Sequence, residues 1–450
     1  MSVSTKVIAA AILLIPAATM ADDIAVTVYN SNLGVVSETR SLDFQEGVNR
    51  LAFTDVPSQI DAASVRFDVL SKQATITILE QNYAFDLVSP EKIYQKYIDQ
   101  GIELVDKDGN IFSGTLLAIS GGSATLRDDS GKIKIVLLGN IAEVNFPSLP
   151  EGLITRPTLF WLYNSSASGT FDSKVSYQTS GLNWNAEYVG VLDSEEKNLD
   201  LSGWSSITNQ SGKTYKDAKL RLIAGEIGRA RQPEYRVAKG MGVYEADMAA
   251  GFEEKAFFEY HMYTLPRKST IANNEIKQIS LFEPASTPVN KVYLYRSGQG
   301  SNNVQVAIKF KNSKEAGLGM PLPAGRIRMF KADADGSLIL LGEDQIDHTP
   351  KDEELDITVG NAFDIVAEEK LVSRTKISTK VEDQKFEIEL RNHKDEAVTV
   401  NVEKMLYGFW DITESSQEYT KKDANTVLFE VPVEADGTSA VSFTVRFTQR

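Results

Sequence analysis

The chain has 450 residues and no cysteine, and its 47 Lys and Arg residues against 62 Asp and Glu residues give a formal net charge of −15. With 42% hydrophobic and 24% charged residues, the composition is that of a globular protein and excludes a largely disordered one. The acidic charge, without basic runs interleaved with aromatic residues, argues against nucleic acid as a partner, and a chain without disulfides must be held together by its core.

The first 21 residues have the pattern of a secretory signal peptide. Lys6 supplies a positive start, residues 7–16 form an apolar run, and Thr19-Met20-Ala21 is a small-residue cleavage site. The apolar run is shorter than the ~20 residues that span a bilayer, and no later run approaches that length. We therefore expect cleavage after Ala21, export to a bacterial periplasm or the cell exterior, and no integral membrane segment in the mature chain.

Short apolar segments separated by turn residues predict a β unit over residues 22–86. A short helix follows, because Ser89 is a suitable N-cap, Pro90 suits the first helical position, and the pattern runs to about Gln100. Five short strands with tight turns come next, a spacing typical of a small SH3-like barrel. We assign residues 87–147 to the helix and this barrel, and since the segment lacks a basic face we expect a structural or protein-contact insert.

A central sandwich region is predicted for residues 148–346, entered through a linker with three prolines at residues 147–157. Strand-like segments on both sides of the polar run 193–198 indicate an antiparallel hairpin. Further on, K-L-R-L at residues 219–222 alternates strictly, which places the leucines on a buried face. We expect the core of this sandwich to contain three aromatic side chains of the region, Trp184, Tyr188 and Trp204.

Several strings in and around this hairpin carry a resemblance to a known family. They are W-N-A-E-Y at residues 184–188, L-D-L-S-G-W at 199–204, and N-Q-S-G-K-T-Y-K-D-A-K-L-R-L-I-A-G-E at 209–226. Together they resemble the signature of the domain-of-unknown-function 4139 (DUF4139) family, whose members include mucoidy-inhibitor-A-like proteins. The likeness continues at V-Y-N-S-N-L-G-V-V (28–36), E-Y-H-M-Y-T-L-P-R-K-S-T-I (259–271) and L-P-A-G-R-I-R-M-F (322–330).

This resemblance implies an exported, β-rich protein, and it brings no established catalytic or binding residues to the chain. The first third has no long coiled-coil-like helical insertion, so no role of such an insertion is carried over.

Residues 228–251 lose the alternation of apolar and polar residues and are predicted to form a mobile loop. Residues 347–450 have a pattern typical of a terminal Ig-like sandwich. The predicted fold class is all-β, with multiple antiparallel β-sandwich (Ig-like) domains, a small SH3-like barrel insert and one short helix.

No constellation in the sequence predicts catalysis or metal binding. His261, His348 and His393 are scattered, so a zinc site would need three distant strands to converge. The acidic residues around His348 indicate a solvated loop, and the Asp-Gly pairs at residues 106–110 and 333–336 indicate hairpin turns rather than calcium loops. Neither a cysteine nucleophile nor a G-x-S-x-G elbow is present. We therefore assign no catalytic, cofactor-binding or metal-binding residue and expect no cofactor.

Trp161, Trp184 and Trp204 lie close together in the sequence. Indoles on a flat sheet face stack on sugar rings, whereas indoles in a sandwich core pack against apolar neighbours such as Leu182 and Leu201. The neighbouring residues favour packing, and the sequence leaves open whether these tryptophans are core or ligand-facing.

Three functional hypotheses follow. The preferred one is a non-enzymatic exported protein that works through protein or cell-envelope contacts. The alternative, motivated by the clustered tryptophans, is a carbohydrate-binding or carbohydrate-processing envelope protein, with an envelope protein or a polysaccharide as the partner. The third, a hydrolase with a composite site, requires a deep cleft lined by His348 and acidic residues.

Overall fold

The computed structural model describes residues 23–150, 152–225, 228, 253–257, 260–298 and 302–448. The predicted signal peptide, residues 1–21, and all but the first residue of the predicted loop 228–251 lie outside these ranges. Strands dominate the described ranges, which confirms the all-β prediction. No helix in this part of the chain has the length and hydropathy needed to cross a membrane.

The strands follow one another with few helical elements between them. Up to residue 224 they are β1 (Asp23–Tyr29), β2 (Leu33–Phe44), β3 (Gly47–Thr54), β4 (Ile60–Val69), β5 (Ile76–Ala84), β6 (Gly101–Asp106), β7 (Ile111–Ser120), β8 (Ser123–Arg127), β9 (Ile133–Leu137), β10 (Ile141–Asn145), β11 (Thr158–Ser165), β12 (Gly169–Thr179), β13 (Leu182–Leu192), β14 (Asn198–Asn209) and β15 (Tyr215–Ala224). The helix α1 (Pro90–Lys96) precedes β6, and a 3-10 turn (Leu138–Asn140) precedes β10. The later strands are β16 (Glu253–Phe257), β17 (Tyr260–Thr264), β18 (Ser269–Ile271), β19 (Glu275–Ser280), β20 (Ala285–Pro288), β21 (Asn290–Ser297), β22 (Asn303–Lys311), β23 (Gly325–Ala332), β24 (Leu338–Ile346), β25 (Glu354–Lys376), β26 (Val381–Asn392), β27 (Val398–Met405), β28 (Phe409–Ser415), β29 (Thr420–Lys421), β30 (Thr426–Val433) and β31 (Thr438–Thr448).

Within the described ranges these strands form five sheets. Sheet I has the order β16-β17-β15-β1-β2-β12-β4, with β18 beside β15; sheet II is β3-β11-β5; sheet III is β10-β6-β7-β8-β9; sheet IV is β19-β14-β13-β23-β24, with β20 beside β14; and sheet V is β28-β31-β26-β25-β22-β21-β27-β30-β29. Neighbouring strands are antiparallel except for the pairs β1 with β15, β13 with β23 and β21 with β27. The sandwich-like architecture is confirmed, and it includes these three parallel pairs in addition to the antiparallel ones expected.

Strands from distant parts of the chain are woven into the same sheets. β2 pairs with β12 from Gly34 opposite Thr179 to Phe44 opposite Gly169. β1 lies between β2 and β15, and β11 lies between β3 and β5. The strands of the first unit therefore share sheets I and II with strands from beyond the insert. β21 and β22 likewise share sheet V with the C-terminal strands.

Sheet III and α1 form the insert between β5 and β11. Ser89 is the N-cap, as predicted, and its hydroxyl accepts from Lys92 N at 3.3 Å. The helix ends at Lys96 rather than near residue 100, since the backbone leaves the helical conformation at Tyr97 and Asp99 has a left-handed φ of 66°. Tyr97 packs in the insert core, where its hydroxyl donates to the carbonyl oxygen of Ser148 at 2.6 Å. The five strands of the predicted barrel are present, but the edge strands β9 and β10 do not pair, so the sheet stays open.

Hydrophobic cores hold the sheets together. The largest lies among strands of sheets I, II and IV and contains Trp161, Trp184 and Tyr188. Leu220 and Leu222 of β15 belong to it as well, which confirms the leucine face expected from their alternation with cations. Smaller cores lie in sheet V and between sheet III and α1. The period of two in the sequence thus decides which face of each strand is buried.

A buried cluster of charged side chains lies on the core-facing side of sheet I. Glu38 on β2 is enclosed, and both of its carboxylate oxygens accept hydrogen bonds from Lys213 Nζ at 3.1 Å. Arg40 Nη2 donates to Glu38 Oε2 at 2.8 Å, and Tyr177 Oη donates to Glu38 Oε1 at 2.9 Å. Arg40 Nη1 also donates to the carbonyl oxygen of Thr54 at 2.8 Å. The buried carboxylate therefore has two cations and a hydroxyl as partners.

The ionisation of this cluster contributes to stability. Burial alone would raise the pKa of Glu38, but the charges of Lys213 and Arg40 outweigh it and hold that pKa below its ordinary value of 4.5. A carboxylate with a lowered pKa stabilises the fold above the ordinary value, and this contribution is lost as the pH falls through the lowered one. Burial and the Glu38 charge raise the pKa of Tyr177 well above its usual range, so its hydroxyl keeps its proton.

Glu38→Ala is expected to destabilise the fold by about 3–5 kcal/mol, because it leaves Lys213 and Arg40 buried without their common anion. Urea unfolding at neutral pH, followed by tryptophan fluorescence, measures the loss as a lower midpoint. Arg66 is the control, since its ion pair with Asp68 at 2.9 Å is exposed and Arg66→Ala should leave the midpoint unchanged. Equal midpoints for Glu38→Ala and the wild type would contradict a stabilising role of the cluster.

Candidate functional site

The outer face of sheet IV carries an exposed tryptophan. On β14, Leu201 and Ile207 are buried, so the odd-numbered positions face the core and Trp204 faces outward with 40% of its surface exposed. Trp161 and Trp184, by contrast, are each 1% exposed. The prediction that Trp204 belongs to the core is therefore wrong, and the alternation along β14 was the signal that could have corrected it.

Trp184 and Tyr188 are core residues, as predicted, and they fix the position of β13. Trp184 Nε1 donates to the carbonyl oxygen of Ile223 at 3.0 Å, which ties sheet IV to β15 of sheet I. Tyr188 Oη donates to the carbonyl oxygen of Pro323 at 2.8 Å, just before β23. These two buried rings of the string 184–188 determine where its outward-facing residues lie.

A row of compensating charges adjoins Trp204. The register places Glu187 between Trp204 on β14 and Arg326 on β23. Arg326 Nε donates to Glu187 Oε2 at 3.2 Å, and Arg328 Nη1 donates to the same oxygen at 2.9 Å. Arg328 Nε in turn donates to Glu343 Oε1 at 2.8 Å. Two guanidinium groups and two carboxylates cancel, so this row has no net charge although the chain as a whole is acidic.

A half-open pocket of about 340 Å³ lies at the end of this row, where β23 begins beside β13. Its polar lining consists of amide, charged and imidazole side chains, namely Asn30, Asn183, Asn185, Glu187, Arg326, Gln345 and His348. His348 Nδ1 accepts from Ala324 N at 3.0 Å, which holds the ring against the segment before β23. This set of donors and acceptors suits a ligand rich in hydroxyl or amide groups.

Gly325 explains how closely β23 can start beside β13. A Cβ atom at Gly325 would lie 2.2 Å from the carbonyl oxygen of Ala186, far inside contact distance. Glycine therefore permits the parallel register that sets Arg326 beside Glu187. The G-R pair in the string 322–330 thus has a steric role and a role in the site.

The loop between β1 and β2 closes the pocket on the side of sheet I. The side chain of Asn32 accepts from Gly181 N at 2.8 Å, and Asn32 N donates to Asn183 Oδ1 at 3.2 Å. Asn32 has a left-handed φ of 53°, and Asn30 of the same loop is part of the lining. Residues of the strings 28–36, 184–188 and 322–330 therefore line one pocket, although Glu187 and Arg326 are 139 positions apart in the chain.

The longest string, 209–226, has a different role. The side chain of Asn209 donates to the carbonyl oxygen of Lys213 at 2.8 Å and closes a tight turn. Gly212 in this turn has a φ of 91°, and a Cβ atom there would lie 2.1 Å from Ser58 Oγ. The turn places the Lys213 side chain against the buried Glu38 of sheet I, so this string stabilises the fold. Among the described residues, the pocket lining includes none from this string.

The three histidines lie on different elements, His261 on β17, His348 in the pocket and His393 after β26. Within the ranges that the structure describes, no group of three or more His, Asp or Glu side chains is placed to hold a metal ion. At residues 106–110 the carboxylate of Asp106 accepts from Asn110 N at 2.8 Å, which makes a hairpin turn, and its bonds to Asn110 lower the pKa of Asp106.

Glu187 is the carboxylate of the pocket lining, and both of its oxygens are already engaged. Glu187 Oε1 accepts from Asn185 Nδ2 at 3.4 Å and from Arg326 Nη2 at 3.3 Å, while Oε2 accepts from Arg326 and Arg328. The hydrolase hypothesis requires a deep cleft with His348 among several acidic residues, whereas this pocket is half-open and has one carboxylate. The arrangement is suited to holding a polar ligand against fixed side chains.

Comparison with known families identifies a match over more than half of the chain. The family described as Domain of unknown function (DUF4139) matches residues 173–448, from within β12 to the end of β31. The match includes β13, β14 and β23, which carry the pocket and Trp204, and the string 28–36 lies outside it. No curated protein matches the chain. The finer resemblance to mucoidy-inhibitor-A-like proteins stays a prediction.

The burial of the tryptophans predicts opposite effects of two substitutions. Trp184→Ala should cost about 3–5 kcal/mol of stability, because it empties a buried site and removes a hydrogen bond to Ile223. Trp204→Ala should cost about 1 kcal/mol or less, because much of that side chain is already in water. Urea unfolding followed by far-UV circular dichroism compares the two, and a larger loss for Trp204→Ala would contradict this assignment of faces.

Proposed function

The chain belongs to the DUF4139 family, and from that premise we propose that it is an exported, non-enzymatic β-sandwich protein that works by binding a component of the cell envelope. The binding surface is the outer face of sheet IV, from Trp204 to the pocket at His348. The observation that carries this proposal is the meeting of three distant strings at that pocket. Polar side chains from distant segments that line the same open pocket are typical of a binding site.

Binding rather than catalysis is supported by the state of Glu187. A general acid or base needs a free position for the proton it transfers, within hydrogen-bond reach of the reacting atom. Arg326, Arg328 and Asn185 fill these positions on Glu187, and the side chains of the row hold one another in place. Such a preorganised surface recognises a ligand without a loss of side-chain freedom.

Export is supported by the first 21 residues, in which a lysine, an apolar run and a small-residue site follow one another. The absence of cysteine agrees with a large sandwich that keeps its fold outside the cell through its cores alone. We place the protein in the periplasm or at the exterior of a bacterial envelope.

Carbohydrate binding is the second candidate, and the exposure of Trp204 favours it. An indole on a flat sheet face offers a sugar ring an apolar stacking surface. Asn185 on the adjacent strand, and Arg326 beyond it, offer partners for hydroxyl groups within the same row. In this case the envelope component is a polysaccharide rather than a protein.

Binding at the outer face of sheet IV predicts that a substitution at Trp204 weakens the retention of an envelope component by the immobilised protein. Immobilised protein starting at Asp22 should retain a component of a cell-envelope extract, and Trp204→Ala should weaken that binding by at least about tenfold, or 1.4 kcal/mol. Tyr407→Ala is the control, because Tyr407 is an exposed aromatic residue far along the chain, in the connection between β27 and β28. Equal retention by the wild type and Trp204→Ala would contradict binding at this face.

Titration with cell-wall and exopolysaccharide fragments then separates the two kinds of ligand. Saturable quenching of tryptophan fluorescence that Trp204→Ala abolishes identifies a carbohydrate. If no fragment changes the fluorescence while retention from the extract persists, the carbohydrate candidate is rejected and a protein ligand remains.

Export predicts a processed N-terminus. When the full-length gene product is expressed in a bacterial host, the protein recovered from the periplasmic fraction should begin at Asp22, which intact-mass measurement detects directly. Lys6→Glu should reduce the processed form, because it removes the positive start of the signal. An unprocessed chain found only in the cytoplasmic fraction would contradict export.

A further inference from the structure

The edge strand β9 of sheet III has an exposed apolar row. Its alternate residues Ile133, Ile135 and Leu137 are 55%, 71% and 59% exposed, while Val136 between them is buried against the insert core. In the described residues β8 is the sole neighbour of β9 in the sheet. Native sheets normally avoid a free edge with large apolar side chains, because such an edge pairs readily with another strand.

The free backbone groups of β9 belong to the same three residues. At the two ends of the strand, the carbonyl oxygen of Lys132 and the N–H of Leu138 bond toward the β8 side, at 3.0 and 2.8 Å. Because the direction of these groups alternates along an antiparallel strand, the even-numbered residues bond to β8. The N–H and C=O groups of Ile133 and Ile135 and the N–H of Leu137 therefore point to the open edge, while the carbonyl oxygen of Leu137 belongs to the 3-10 turn Leu138–Asn140.

The opposite edge of sheet III is protected. The pairing of β10 with β6 has a bulge between Ile141 and Glu143, and Glu143 adds a charge to that edge. Bulges and edge charges are the usual devices that prevent strand addition. β9 has no bulge, since its pairing with β8 runs without a register shift. Its one charged side chain, Lys134, lies on the face opposite the apolar row and close to Asp128 of its own chain.

We propose that two copies of this chain pair through β9 as antiparallel strands, about a two-fold axis at Ile135. In this register Ile135 lies opposite Ile135 of the partner subunit, and Ile133 lies opposite Leu137 of the partner subunit. The pair at Ile135 exchanges two hydrogen bonds through its free backbone groups, and in each outer pair the N–H of Leu137 donates to the carbonyl oxygen of Ile133. The two five-stranded sheets become one continuous sheet with a single apolar row across the junction.

Charge supports a second copy as the occupant of this edge. On the other face of the paired strands, Lys134 lies opposite Val136 of the partner subunit, so no two lysines face each other. Lys134 is also close to Asp128 of its own chain, at 3.5 Å. A two-fold contact requires a surface that complements itself, and β9 meets this requirement in its hydrogen bonds and its apolar row, while the ion pair of Lys134 with Asp128 leaves no net charge to repel the second copy.

Sedimentation velocity of the purified protein at about 0.15 M salt tests the pairing, since this salt screens the repulsion between two acidic chains. The wild type should show a dimer fraction that rises with concentration. Ile135→Lys and Ile135→Glu should each remain monomeric, because like charges would meet on the axis, and an equimolar mixture of the two variants should recover the dimer. Ile111→Lys is the matched control, at an isoleucine of β7 that is 63% exposed, and should dimerise like the wild type.

A cross-link gives a second readout, because the chain contains no cysteine. Opposite residues of a hydrogen-bonded antiparallel pair have Cα atoms about 5.5 Å apart, within the range of ~4.4–6.8 Å that a disulfide spans. Oxidation should therefore convert Ile135→Cys, but not Ile111→Cys, into a covalent dimer. A wild type that stays monomeric at every concentration overturns the proposal. So does a mixture of the Lys and Glu variants that stays monomeric, because the edge would then serve a strand of another protein.

Discussion

The burial of Glu38 is the constraint on which the rest of the structure depends. A carboxylate inside a core costs several kcal/mol unless cations and donors reach it, so β2 can be enclosed only together with its partners. Tyr177 lies 139 residues further along the chain and Lys213 lies 175 residues further, on the turn that leads into β15. Electrostatics thus couples β2, β12 and β15 in addition to their backbone pairing. This coupling explains why a lysine occupies the buried turn of the string 209–226.

Asn312, a buried asparagine, fixes the position of two loops near the site through its hydrogen bonds. The side chain of Asn312 donates to the carbonyl oxygens of Met320 at 2.6 Å and Pro350 at 2.9 Å. It thereby holds together the segment that leads into β23 and the segment that follows β24. Because an unpaired buried amide is costly, these segments have a single favourable arrangement. The pocket lining that they supply, Pro323, Ala324 and His348, is held in place by these hydrogen bonds.

Sequence patterns located the strands well, because the period of two is a local signal that each strand carries in full. They could not identify the partners of those strands, since β1 between β2 and β15 is a contact between distant segments. The pocket was out of reach for the same reason, as Asn30 and His348 have no relation in sequence. The error at Trp204 was different, because the buried Leu201 already indicated the side on which Trp204 lies. The early end of α1 at Lys96 goes with the left-handed φ of 66° at Asp99, a position where the sequence has no glycine to indicate it.

The face of sheet IV and the edge strand β9 use different chemistry for recognition. β13, β14 and β23 each have neighbours on both sides, so their backbone groups are occupied and only side chains remain for a ligand. Since the charges of Glu187 and Arg328 are cancelled within the row, selection there depends on shape and on the direction of hydrogen bonds more than on net charge. On β9 the exposed row of side chains is apolar and backbone groups of the same residues are free, so recognition requires another strand. The two surfaces share no residue, so occupation of one uses no group of the other.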